Sequence, residues 1–204
     1  GAAVDVLGRV FQPNFEDDGA HIGDPVLGAS LGWHEGNWHW SVGTLLNVPV
    51  GYWKKGDVTN IGFNRWAGDL TGAVTYLDMK TGIELSSAAG FTFNGTNEAT
   101  EYTTGTEFHL EGAAMQHFSK TLSFGLQGYY YQQVTGDSGP GTKFLGDFKG
   151  RVVALGPALD FSFALGKTPV SGNVKYFHEF AVENRLEGDA GYLNFTIPLS
   201  GGGH

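Results

Sequence analysis

The sequence predicts an all-β protein, an antiparallel transmembrane β-barrel, and three observations carry that reading. Apolar and non-apolar residues alternate with a period of two through most of the chain, and very little fits a helical period. Tight polar turns alternate strictly with long polar segments, the layout of a barrel with short turns on one side of a membrane and longer loops on the other. The non-apolar face of the strands is mostly Gly, Ala, Ser, Thr, Gln and Tyr, and charged residues make up only 16% of the 204-residue chain.

A first strand is expected from Ala2 to Phe11, followed by the polar segment PNFEDDGAHIGD from Pro13. Strands at Pro25 to Trp33 and Trp38 to Val50 flank the turn HEGN, His34 to Asn37. After the long segment GYWKKGDVTN from Gly51 come strands at Asn64 to Leu77 and Ile83 to Phe93, joined by DMKTG at Asp78 to Gly82. The segment NGTNEATEYTTG from Asn94 leads to strands at Thr106 to Phe118 and Thr121 to Val134, joined at Ser119 and Lys120. The segment TGDSGPGTKFLGD from Thr135 leads to strands at Arg151 to Leu165 and Val170 to Glu183, joined by GKTP at Gly166 to Pro169. A last strand covers Ala190 to Leu199. The turns have the Gly- or Lys-bearing polar chemistry of hairpin connections.

A soluble sandwich or lipocalin-like barrel would also alternate, but its outer face should carry many charges. Strands of about 11 to 16 residues exceed the length usual in globular sheets and suit a tilted bilayer span. Aromatic residues gather near strand ends, at Trp33, Trp38, Trp40, Trp53, Trp66 and Phe118, where interfacial girdles belong. A net charge of -9 argues against nucleic acid, which demands a basic surface. With no Cys there are no disulfides or thiolate metal sites. No apolar run approaches the ~18 residues of a membrane-spanning helix. No basic-then-apolar leader opens the chain, so an exported form would be a mature chain or a fragment. Residues 1–204 are expected to form one barrel domain, with SGGGH at 200–204 as a linker and the beginning of a tag.

The stretches GLQGYYYQQVTGDSGPG, FKGRVVALGP, HEFAVENRLEGDAGYL, IGDPVLGASLGWHEGNWHW and NRWAGDL together resemble the outer-membrane channel family named for the meta-cleavage pathway of phenol degradation. The likeness runs from about Gly23 to Leu199. It implies a twelve-stranded monomeric barrel associated with uptake of small, often aromatic or hydrophobic compounds. By that comparison several strands precede the equivalent of Ala2, and AAVDVLGRVF becomes an extension of the third strand or part of the first long loop. Nine strands are then readable here, with a tenth at the front.

If the apolar faces meet lipid, the opposite phase lines a lumen. That set holds His39, Asn47, Arg65, Asp69, Glu84, Glu107, His109, Glu111, Gln127, Tyr129, Tyr131, Gln133, Asp160, Asn173, Lys175, Glu179, Glu183, Tyr192 and Asn194. Charges there are tolerable in a wet lumen or as opposite-sign pairs. Such side chains either filter solutes by charge and width or form a salt-bridged plug. Acids outnumber bases in the set, which disfavours anions. Tyr129, Tyr131 and Tyr192 offer flat amphipathic surfaces to aromatic solutes, or fill space, while Gly125, Gly156 and Ala158 leave room opposite them. Tyr130 points to lipid, so the three consecutive tyrosines are not one motif.

Catalysis is not expected. Outer-membrane lipases carry Ser and His on the outer wall, and His178 has the outward phase. Pairing Leu165 with Val170 sets Pro157 opposite His178, with Phe195 or Ile197 on its other side and no Ser within reach. No cofactor or metal is expected either: Glu107, His109 and Glu111 share one face but complete no ligand set, and NFEDDGAHIGD lacks the EF-hand pattern. The expected function is an outer-membrane channel for passive diffusion or uptake of small molecules in a Gram-negative bacterium. The alternatives are a structural or adhesive barrel with a closed lumen and functional loops, and a soluble β-binding protein. Expected partners are the lipid bilayer with its lipopolysaccharide and small solutes, the protein acting as a monomer.

Overall fold

The computed structural model describes residues 4–6, 9–11, 21–57, 60–140, 142, 146–166 and 168–198. The expected linker at 200–204 and most of the segment from Pro13 lie outside them. In chain order the strands are β1 (Val4–Val6), β2 (Arg9–Phe11), β3 (Val26–Glu35), β4 (Trp38–Asn47), β5 (Ala67–Asp78), β6 (Ile83–Asn94), β7 (Thr96–Asn97), β8 (Tyr102–Thr103), β9 (Glu107–Ser119), β10 (Leu122–Gln133), β11 (Arg151–Leu165), β12 (Thr168–Glu183) and β13 (Asp189–Thr196). Nine of them form one antiparallel sheet in the order β13-β12-β11-β10-β9-β6-β5-β4-β3. Every sheet neighbour is thus the next wall strand in the chain, an up-and-down meander whose edges, β3 and β13, do not pair with each other. No helix among the described residues is long and apolar enough to cross a membrane.

The tight connections work as turn chemistry requires: Gly36, Gly82 and Gly166 take φ of 56°, 73° and 64°, a region open to Gly at no steric cost. Alternation then sorts the side chains. On one face lie Leu70, Val74, Leu85, Phe91, Leu110, Phe124, Leu126, Leu155, Phe163, Val174, Phe180, Leu193 and Phe195, all exposed. The buried apolar residues among those described are few and mostly small, Met115, Val152, Ala154, Ala158 and Val170. Such an inside-out distribution is costly in water and favourable in hydrocarbon. Its aromatic rims match the expectation. Near the short turns Trp33, Trp38, Trp40 and Phe118 are exposed, with Trp38 edge-on to Tyr76 at 5.1 Å. Toward the long loops Phe91 stacks near Phe93 and lies 5.2 Å from Phe108, which is 6.2 Å from Tyr130.

Three expectations are corrected. Ala2 to Phe11 is not one wall strand: β1 and β2 pair with each other as a hairpin, Val4 against Phe11, in a sheet apart from the wall. The β11–β12 turn is tighter than expected, so Leu165 pairs with Thr168, Phe163 with Val170, and Leu155 rather than Pro157 faces His178. The third concerns Glu183. A shift of register between Arg151 and Val153 accompanies Ala181 at φ 52°, and β12 changes phase there. Glu183 consequently pairs with Arg151 on the outer side instead of facing inward.

The long segments are not bare loops. NGTNEATEYTTG contains the hairpin β7–β8, and Thr103 forms an antiparallel bridge with Ser138 of the next long segment. Its pairs are Thr96 with Thr103 and Asn97 with Tyr102, and strands of two residues are too short to show a period of two in the sequence.

Candidate functional site

The face opposite the lipid-exposed one is concave. Side chains from β5, β6, β9 and β10 and others from β12 and β13 line a single cavity of about 460 Å³, among them Ala73, Thr75, Ala88, Glu111, Gln127, Tyr129, Lys175, Phe177, Tyr192 and Asn194. That volume lies in the range of small-molecule pockets. The sheet must curl for β12 and β13 to share walls with β5 and β6, and the small side chains Ala73, Ala88 and Ala113 keep the space between them open. A second cavity of about 350 Å³ near the short turns is lined by His117, Lys120, Ser123, Asp160, Asn173 and Asn194.

Of the predicted residues, Glu111, Gln127, Tyr129, Lys175, Tyr192 and Asn194 come together in the larger cavity. The others form polar clusters above and below it. Asp69 on β5 accepts from Thr71 and Thr92, each at 2.6 Å, and meets His109 Nε2 at 2.9 Å. His109 is thereby engaged with Asp69 rather than with Glu107 and Glu111, and no group of three or more His, Asp or Glu among the described residues is placed to hold a metal ion. Glu84 meets His117 at 2.7 Å and accepts from Ser86 at 2.9 Å. Glu107 accepts from Asn94 at 3.0 Å and from the Tyr131 hydroxyl. Asn94 in turn accepts from Arg65 Nε at 3.2 Å, and Arg65 stands over the Phe63 ring. Tyr129 donates to Glu179 at 2.6 Å. Asp160 accepts from Ser123 at 3.3 Å and from Asn173. Gln133 does not point to the cavity; it donates to Asp137 at 2.6 Å in the loop above.

Two residues missed by sequence reasoning shape the face. Phe177 packs edge-on to Tyr129 at 5.0 Å and to Tyr192 at 6.1 Å. It has the inward phase of Lys175 and Glu179, so alternation contained the signal, but an apolar residue was not sought there. Arg185 places its guanidinium 4.4 Å from the centre of the Tyr131 ring. It lies beyond β12 in a connection where period-two reasoning has no purchase.

On the outer wall His178 has Leu155 and Asp189 as its cross-strand neighbours, in place of Pro157 and of Phe195 or Ile197. Its Nδ1 lies 2.9 Å from Asp189 Oδ1, which also accepts from Tyr176 at 2.6 Å.

Two carboxylates tie down the segments beyond the strands. Asp24 accepts from Asn47 at 3.0 Å and from the backbone of Gly51 and Phe63, both at 2.8 Å. Burial works to raise its pKa, but these hydrogen bonds outweigh it and hold the carboxyl below its ordinary value. Asp137 accepts from Gly105 N at 2.9 Å, from Gln133 and from the Tyr102 hydroxyl. Burial, then the hydrogen bond and the charge of Asp137, push the Tyr102 phenol up to about 12.

The family described as "Putative MetA-pathway of phenol degradation" matches the chain over residues 3–195. Among solved structures the fold is similar to the crystal structure of an outer membrane channel from Pseudomonas putida F1, with a TM-score of 0.70 at 16% sequence identity, covering 88% of this chain. The chain spans 66% of the length of that channel. No curated protein sequence matches it. With that family matched over nearly the whole chain, and with an antiparallel wall that is apolar on one face and polar on the other, the chain belongs to the family described as the MetA-pathway of phenol degradation.

Proposed function

We propose that the protein is an outer-membrane channel through which small solutes, aromatic ones among them, move passively down a concentration gradient. The observation that carries this reading is the cavity of about 460 Å³ on the concave face, bounded on opposing walls by polar and aromatic side chains while the other face is apolar and exposed. Solutes enter between the long connections and pass Arg65, Asp69, Glu107, His109 and Tyr131. They then reach the space between Tyr129, Phe177 and Tyr192, and leave past Glu84 and Asp160. Acids outnumber bases along this path, so cations and neutral molecules pass more readily than simple anions. The protein works as a monomer in the bilayer, in contact with lipopolysaccharide on its outer leaflet.

The test is ionic conductance across a planar bilayer together with solute entry into liposomes. A reconstituted protein that neither conducts nor speeds entry overturns the proposal. That result would favour a barrel with a closed lumen and functional loops, a reading supported by the cross-strand ties of Asp69 to His109 and Glu84 to His117.

A further inference from the structure

We propose that the larger cavity is a binding station for ring-bearing zwitterions, solutes that carry an aromatic ring, one ammonium and one carboxylate. The inference rests on the channel reading and names a solute class for it.

It starts from a contrast. Every other carboxylate predicted for the concave face is held by hydrogen bonds from neighbouring side chains, as described above. Glu111 and Lys175 are not. Both line the cavity, yet among the described residues neither side chain makes a hydrogen bond or ion pair, with each other or with any third group. They enter it from well-separated strands, Glu111 from β9 and Lys175 from β12, with β10 and β11 between them in the sheet. A negative centre on one wall and a positive centre on the other set a field across the cavity, and its low-dielectric walls focus it.

The rings are arranged along that field. Tyr129 is the cross-strand partner of Glu111, and Tyr192 is the cross-strand partner of Lys175. Phe177 stands between the two, edge-on to both. An aromatic bed therefore runs from the acidic end of the cavity to the basic end. Gln127 adds a further requirement. It lines the same cavity, is only 8% exposed, and its amide nitrogen has no hydrogen-bond partner among the described residues. An acceptor such as a carboxylate oxygen satisfies that donor.

Charge selects among the solutes that fit. A simple aromatic anion meets Lys175 but is repelled by Glu111 and by the acid excess of the lumen. A simple aromatic cation meets Glu111 and is repelled by Lys175. A neutral ring leaves both charges unanswered. Only a solute with both centres answers both walls while its ring lies on Phe177 and the two tyrosines.

The experiment measures interruption of ionic current through the reconstituted full chain by four probes that share one ring: phenylalanine, phenylpropionate, phenylethylamine and benzyl alcohol. Phenylalanine is expected to interrupt the current at concentrations about tenfold below each of the others. Lys175→Met and Glu111→Gln should each remove about that tenfold advantage. The charge swap Lys175→Glu with Glu111→Lys should restore it, because a zwitterion can bind in the reversed sense. Equal interruption by phenylpropionate or phenylethylamine overturns the inference, as does an unchanged phenylalanine response in both single variants. A current that phenylalanine leaves untouched refutes the zwitterion station alone. The absence of any current refutes the channel reading and this inference with it.

Discussion

Replacing Asp69 by Ala should destabilise the folded barrel by about 3 kcal/mol. The Asp69 carboxylate takes two hydroxyl donors at 2.6 Å and the His109 ring at 2.9 Å, joining β5, β6 and β9. Hydrogen bonds to a charged group contribute about 1.5–3 kcal/mol each, but lumen water can re-engage Thr71, Thr92 and His109 once the carboxylate is gone. Asp69 is 13% exposed and His109 24%, so that recovery is partial. Roughly half of the gross contribution survives as a net loss. With an unfolding slope of about 2 kcal/mol per molar urea, the midpoint should fall by about 1–2 M. Refolding into lipid vesicles and urea titration followed by tryptophan fluorescence measures it. Asp69→Asn keeps the acceptor oxygen for one hydroxyl and should lose about half as much. A double-mutant cycle with Thr92→Val should show a coupling of at least ~0.5 kcal/mol. If Asp69→Ala unfolds within about 0.5 kcal/mol of the parent, the cluster is not a structural tie and the reasoning fails.

Other expectations follow from the same geometry. The Asp24 carboxyl has a folded pKa below its unfolded value near 3.8, so its anchoring of the segment around Trp53 is complete above that value and is lost as pH falls through the lower, folded one. Trp53 emission should hold steady at mildly acidic pH and shift only below the ordinary carboxylate range, while Asp24→Ala shifts it at neutral pH; identical emission in both proteins at neutral pH contradicts this. Tyr102 has a raised pKa of about 12, so its tie to Asp137 is complete below the usual phenol value of 10.0 and is lost as pH rises through about 12. Ultraviolet titration should show Tyr102→Phe removing a late-ionising phenol, and protease sensitivity of the connections around 95–106 and 134–150 should rise in that variant; loss of an early-ionising phenol instead would refute the assignment. A Cβ on Gly156 would collide with the backbone carbonyl of Tyr176 on β12, whereas one on Gly72 meets nothing within 4 Å. Gly156→Ala should therefore fail to give the compact, heat-modifiable species on gels that Gly72→Ala gives, and equal yields of the two would contradict the packing.

The wall strands were legible because lipid on one side and a polar interior on the other impose a strict period of two. Arg151–Leu165 coincides with its expected range, and Ile83–Asn94 and Glu107–Ser119 differ by a residue at their ends. The fourth strand stops at Asn47 instead of Val50, where Asn47 donates to Asp24 and Pro49 offers no backbone donor to the ladder. What escaped was what alternation does not encode. A non-glycine residue at positive φ, Ala181, reversed the phase of Glu183 with no mark in the sequence. The exact length of the turn at Gly166 displaced the partner of His178 by two positions, which period-two reasoning tolerates because the same face is kept. The site was half legible: the inward phase gave the polar residues, while Phe177 was passed over for being apolar and Arg185 for lying beyond a strand.

The contrast between tight and long connections also dictates an order of assembly. Joining β3 to β4, β5 to β6, β9 to β10 and β11 to β12 closes loops of only a few residues, so those four hairpins can zip early at small entropic cost. Bringing β4 to β5 or β10 to β11 closes far longer loops and must wait for the hairpins to exist. Until then each hairpin carries a bare apolar face and two unpaired edges through water, the condition in which strands of different chains add to one another. Whatever delivers this chain to its membrane must therefore shield hairpins rather than single strands.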